Sequence, residues 1–214
     1  ATHSNWSDAA VFHGDIAKVD FAQVPRTDII VGGFPCQGFS LAGPRKIDDR
    51  RNTLYKHFVR AVEVRKPYAF IAENVKGILT LGDGSILEAI IQDFEDRGYH
   101  VAYQLLNAAD YGVPQNRERV IFVGLRHDIT TTYSFPKPSD RRVTIREALK
   151  GLNEPSPEDV CSAPYSSRFM SRNRRRDWDE LSYTIPAMAK QVPLHPSSPP
   201  MKRISKDLWV FGEG

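Results

Sequence analysis

Asp28-Ile29-Ile30-Val31-Gly32-Gly33-Phe34-Pro35-Cys36-Gln37 starts as an apolar, β-branched run and closes on a proline, a thiol and an amide. Residues 28–33 read as a buried strand, and residues 34–37 as the loop at its carboxyl end. In open parallel sheets that end is where ligands and reactive groups collect. A free cysteine more often packs than reacts. Here Pro35 fixes the turn, and Gly32, Gly33 and Gly38 allow close approach to a ligand, so Cys36 reads as a nucleophile.

Outward from this loop the pattern is α/β. A helical repeat over residues 53–64 places Leu54, Phe58, Ala61 and Val62 on one face and must stop before Pro67. A second strand, Tyr68-Ala69-Phe70-Ile71-Ala72, comes next, which makes a βαβ unit. Ser85 and Glu88 have capping-box spacing at the head of a second helix with the stripe Ile86, Leu87, Ile90, Ile91 and Phe94, and Gly98 suits its end. Residues 99–108 and 119–126 then read as a hairpin with a long loop. Prolines dominate beyond Tyr133, where only residues 145–149 have a helical pattern. The division expected is a catalytic domain over residues 1–133 and a separate irregular, strand-rich region over residues 134–214.

The 214 residues carry 41% hydrophobic and 26% charged side chains, the profile of a globular chain. No apolar stretch reaches the roughly 20 residues of a membrane span, and no signal peptide is visible, so a cytoplasmic protein without a membrane partner is expected. Two cysteines, Cys36 and Cys161, offer neither a disulfide framework nor a Cys-rich metal site. The net charge of +3 is small, but Arg168, Arg172, Arg174, Arg175 and Arg176 are clustered. They suit either phosphate neutralisation or a solvated loop balanced by Asp177, Asp179 and Glu180.

Polar groups fall at the ends of the strands: Cys36 after the first, Glu73-Asn74-Val75 after the second, and Gln115-Asn116-Arg117-Glu118-Arg119 before the last. If the first two strands are parallel neighbours, and the last runs antiparallel to them, a thiol, a carboxyl group and a guanidinium share one rim. Methylation of carbon 5 of a pyrimidine needs this set. A thiolate must add to carbon 6 before carbon 5 becomes nucleophilic, an acid beside nitrogen 3 stabilises the developing charge, and a cation near oxygen 2 holds the ring.

At these residues the chain resembles the DNA (cytosine-5)-methyltransferase family, in its bacterial type and incomplete at both ends. Pro35-Cys36-Gln37, Glu73-Asn74-Val75 and the run from Gln115 to Arg119 match three signature motifs in order. Gly14-Asp15-Ile16 and Asn52-Thr53-Leu54 resemble segments that touch the cofactor. The resemblance implies a Rossmann-like methyltransferase core, represented by the C-terminal part of its sheet, followed by the start of a target-recognition domain. It implies Cys36 as nucleophile, Glu73 at nitrogen 3 and the exocyclic amine, and Arg119 at oxygen 2. Asn74 and Arg117 would support the loop geometry, while Asp15, Ile16, Pro35 and Leu54 would contact S-adenosylmethionine. No metal is implied. The partners implied are double-stranded DNA, with the target cytosine flipped from the stack, and a companion restriction endonuclease.

The family's glycine-rich opening motif, the acidic residue that grips the cofactor ribose and the C-terminal motifs are not found in this sequence. A non-catalytic DNA-binding fragment unable to hold cofactor alone is therefore the alternative. Residues 142–147 superficially resemble a C-terminal motif but lie too close to the last strand, and read as a surface helix. A Cys-His hydrolase using His13 or His57 lacks any feature that makes either histidine a base. A zinc deaminase would need a second cysteine where Phe39 stands.

Overall fold

Ile29–Gly32 forms β1 and Ala69–Val75 forms β2, paired in parallel with Ile30 opposite Phe70 and Gly32 opposite Ala72. The computed structural model describes residues 11–34, 54–153, 156, 169–186 and 193–212. By contacts the chain divides into two units, Ala1–Gln104 with Val120–Ser134 and Leu105–Arg119 with Phe135–Gly214.

In the first unit, β1 and β2 are joined through α1, Tyr55–Arg65. Its sequence lacks glycine and proline and repeats apolar side chains at helical spacing, burying Tyr55, Phe58, Val59, Ala61 and Val62. Lys66 ends the helix in the left-handed conformation, its amide donating to the Val62 carbonyl at 2.8 Å, and Pro67 cannot extend it. β2 runs three residues further than its apolar run, so Glu73, Asn74 and Val75 lie within the strand and not after it. The alternation explains this: Phe70, Ala72 and Asn74 all turn inward, and Asn74 simply places a polar group at a core position.

α2 spans Ser85–Glu95 and buries Leu87, Ile90 and Phe94. The expected Ser85–Glu88 capping box is not formed. Gly82, Asp83 and Gly84 all take positive φ, so Gly84 becomes the N-cap, and the Ser85 hydroxyl donates to the Gly82 carbonyl at 2.7 Å. Tyr99–Asn107 forms β3 and Glu118–Arg126 forms β4. The sheet order is β1-β2-β4-β3. The Arg126 amide donates to Tyr68 O (3.0 Å) and the His127 amide to Gly98 O (2.8 Å), so β4 runs antiparallel to both neighbours.

The core is an aromatic cluster against the helical face of the sheet. The rings of Phe58 and Phe70 meet edge-on at 5.9 Å, and Phe70 lies 4.2 Å from Phe94 between centroids. Phe70 also covers Gly124 on β4 so closely that a Cβ there would overlap the ring. Gly124→Ala should therefore destabilise the protein by about 1–3 kcal/mol through overpacking, read as a lower denaturant midpoint. An unchanged midpoint would contradict this packing. On the opposite face, β1 exposes Ile29 and Val31, the latter at 70%.

In the second unit, α3, Ile145–Leu149, carries a formed capping box between Thr144 and Glu147. β5, Met201–Ser205, and β6, Leu208–Phe211, make an antiparallel hairpin. The three acids near the arginine cluster are all engaged. Asp177 pairs with Arg175 at 2.8 Å, Glu180 with Arg176 at 3.1 Å, and Asp179 with Arg146 at 2.7 Å. Buried Arg174 has its pKa lowered by desolvation and by the neighbouring Arg172 charge, while Arg168 lies outside the described residues.

Candidate active site

The parallel pairing of β1 with β2 sets the first half of the site. One residue beyond the paired Gly32 and Ala72, the Glu73 carboxylate oxygen Oε2 lies 3.4 Å from where a Cβ on Gly33 would stand. That is ordinary van der Waals distance, so the carboxylate lies beside the backbone that leads from β1 toward Cys36. Phe34 then buries its ring against α1, with centroids 6.1 Å from Tyr55 and 6.2 Å from Phe58. The chain is thus anchored two residues before Cys36. Pro35 and Cys36 themselves lie outside the described residues.

Asn74 is 1% exposed. Its Oδ1 accepts from the Val75 amide at 2.8 Å, while Nδ2 has no hydrogen-bond partner among the described residues. A buried donor in this state is costly, which marks the position as one shaped by more than packing.

Asp15 and Ile16 share a short 3-10 turn, Ile16–Lys18, with Asp15 as its N-cap. The carboxylate accepts from the Ala17 amide at 2.9 Å, and the Ile16 side chain is exposed. A carboxylate acceptor beside an exposed apolar side chain has the chemistry to accept from an adenine's exocyclic amine and to lie against its ring. Leu54 is the residue preceding α1 and is partly buried.

In the second unit, Arg117 immediately precedes β4 and Arg119 is its second residue. Arg119 donates through Nη1 to the Glu118 carbonyl at 2.8 Å. The preceding loop is held by Asn107, which sequence reasoning did not single out. Its Oδ1 accepts from the Ala109 and Arg117 amides at 3.2 and 3.1 Å, and its Nδ2 donates to Asn116 Oδ1 at 2.7 Å. The signal in the sequence was an asparagine at a strand end followed by Ala108-Ala109-Asp110, an N-cap pattern for the 3-10 turn Ala108–Tyr111. The other side of the loop is held by the Asn116 amide donating to Ser182 O at 2.9 Å and by Thr184 Oγ1 donating to Asn116 O at 3.0 Å. Asn107→Ala is expected to leave three polar groups without this partner and to destabilise the protein by about 1–3 kcal/mol, read as a lower denaturant midpoint. An unchanged midpoint would count against its holding the loop.

Comparison with known proteins gives a consistent answer. The family model for C-5 cytosine-specific DNA methylases matches residues 3–196. The chain is 50% identical over 206 residues to the type II methyltransferase M.BsuRI of Bacillus subtilis, covering 94% of this chain and 47% of that protein. It is 36% identical over 234 residues to the type II methyltransferase M.FnuDI of Fusobacterium nucleatum, covering 100% of this chain and 68% of the relative. Among solved structures, the methyltransferase EhMeth of Entamoeba histolytica superposes with a TM-score of 0.65 at 16% identity, over 98% of this chain and 70% of that one, a likeness of fold. The chain spans about half the length of the first curated relatives it matches. With a mixed α/β sheet of the methyltransferase type and a family match over most of its residues, the chain belongs to the C-5 cytosine-specific DNA methylase family.

Proposed function

We propose that the protein methylates carbon 5 of a cytosine flipped out of duplex DNA, with S-adenosylmethionine as donor and Cys36 as covalent nucleophile. The observation that carries this reading is the Glu73 carboxyl group, held against Gly33 three residues before the thiol. β1 and β2 are parallel neighbours, and in the sequence Cys36 follows the last residue of β1 by four positions. The cation for the same ring is Arg119, on the resemblance of the Gln115 to Arg119 run to the family's motif.

In this mechanism the Cys36 thiolate forms a bond to cytosine carbon 6, and the electron pair of the 5,6 double bond becomes available at carbon 5. Glu73, protonated, donates at nitrogen 3 and stabilises the charge that reaches it. Arg119 holds oxygen 2, with Arg117 and Asn74 keeping the loops in place. The cofactor, when bound, supplies an electrophilic methyl group on a sulfonium. Carbon 5 would take that methyl group as the sulfonium sulfur keeps the bonding pair. Water would then accept the carbon 5 proton, the thiolate would depart with the electron pair of its bond to carbon 6, and nitrogen 3 would return its proton to Glu73. Asp15 and Ile16 would hold the adenine, with Pro35 and Leu54 beside it.

Residues 134–214 are proposed to carry target recognition, and the type II designation of the relatives supports a companion restriction endonuclease as partner. Among the described residues no helix is long and apolar enough to cross a membrane. The proposed location is cytoplasmic, where the DNA substrate would be met. The test is incubation with duplex DNA and S-adenosylmethionine followed by bisulfite sequencing. Protected cytosines in one sequence context are expected. Cofactor titration with and without DNA separates this from a DNA-binding fragment: DNA binding with no detectable cofactor binding in either setting would defeat the enzymatic reading of the chain.

A further inference from the structure

The turn that carries Asp15 and Ile16 has almost no hydrophobic means of staying in place. The 3-10 turn Ile16–Lys18 and its successor, Phe21–Gln23, bury no side chain. The internal hydrogen bonds of the first, Lys18 N to Asp15 O at 2.9 Å and Val19 N to Ile16 O at 3.3 Å, define the turn but do not fix it to the sheet. The attachment comes from α1. Arg60 donates through Nη2 to Ile16 O at 2.8 Å and to Val19 O at 3.1 Å, and through Nη1 to Ala17 O at 3.3 Å. Its guanidinium also stands over the Phe21 ring, 4.9 Å from the centroid. One side chain thus gathers three carbonyls of a single turn.

We propose that Arg60 is a positioning residue for cofactor recognition: it sets the angle at which Asp15 and Ile16 meet the adenine. The inference rests on the assignment of that turn to the adenine. The planar guanidinium is suited to the task, since its forked, spaced N–H groups can reach several carbonyls at once, which a compact ammonium does less well. The neighbouring Arg65 performs a different attachment, donating to the carbonyls of Phe21 and Ala22, both at 3.2 Å. It holds the second turn, not the one bearing Asp15.

The test uses the intact protein and S-adenosylhomocysteine, with affinity read by calorimetry and kinetics read with S-adenosylmethionine. Arg60→Met is expected to weaken binding on the order of ten- to hundredfold, because charged hydrogen bonds hold the turn. The KM for cofactor should rise while kcat at saturating cofactor stays close to wild type, and Arg60→Lys should recover part of the loss. Hydrogen exchange at the amides of residues 17–19 should accelerate in the Met variant. Combined with Asp15→Asn, the losses should be less than additive, because both substitutions disable the same contact. If Arg60→Met does not fold, Arg60→Lys carries the same comparison. Unchanged affinity in a folded Arg60 variant, with Asp15→Asn weakened, overturns the proposal alone. Additive losses overturn it too, since they would assign Arg60 to general stability. Unchanged affinity in Asp15→Asn overturns the adenine assignment and the proposal with it.

Discussion

Cys36→Ser is expected to reduce methyl transfer by at least on the order of 10³-fold while DNA binding and thermal melting stay close to wild type. The reason is chemical. Carbon 5 of cytosine gains nucleophilic character only after a strong, polarisable nucleophile has added at carbon 6. A thiol is already a few per cent thiolate near neutral pH, whereas a serine hydroxyl is un-ionised there and has no base assigned to it. The measurement is incorporation of labelled methyl groups into duplex DNA at saturating cofactor, beside a binding titration of the same duplex. A serine variant that turns over at a rate comparable to wild type would remove Cys36 from the chemistry.

Glu73→Gln is expected to lower kcat by on the order of 10²- to 10⁴-fold, the range of a lost general acid. The amide keeps the size of the side chain and can still donate a hydrogen bond, but it cannot give a proton to nitrogen 3. The effect therefore belongs in kcat, with the KM for DNA moving little. The space beside Gly33 that holds the carboxylate also holds an amide of equal volume, so the variant should fold. Loss of DNA affinity at unchanged kcat would instead make Glu73 a binding residue.

Much of the fold is legible in the sequence because it rests on local pattern. β1 and α1 follow from an apolar run, a helical stripe and a proline stop, and their bounds differ from the sequence reading by one or two residues. β2 reads short in the sequence because its apolar run gives way to polar residues, whereas Asn74 occupies an inward position and the strand continues to Val75. The Ser85 capping box fails for a related reason. Spacing alone does not reveal that three consecutive left-handed residues carry the chain into α2 through Gly84.

The contributions of Asn107 and Arg60 are hidden more deeply. Asn107 bridges to the far side of its own loop, 9 and 10 residues on, and Arg60 reaches a turn 41 to 44 residues away. An arginine on a helix looks like any solvated charge until its acceptors are known. The arginine cluster shows the reverse: its balancing acids are visible in the sequence, but the partner of Asp179 is Arg146 on α3, outside the cluster.

The covalent role of Cys36 is tested most directly by trapping. A duplex containing 5-fluorocytosine at the target position blocks the final loss of the carbon 5 substituent, so the protein should remain bonded to DNA in the presence of S-adenosylmethionine. Digestion and mass spectrometry should find the nucleotide on the peptide containing Cys36, and Cys36→Ser should form no adduct. An adduct that persists in the serine variant, or that maps to another residue, would contradict the assignment.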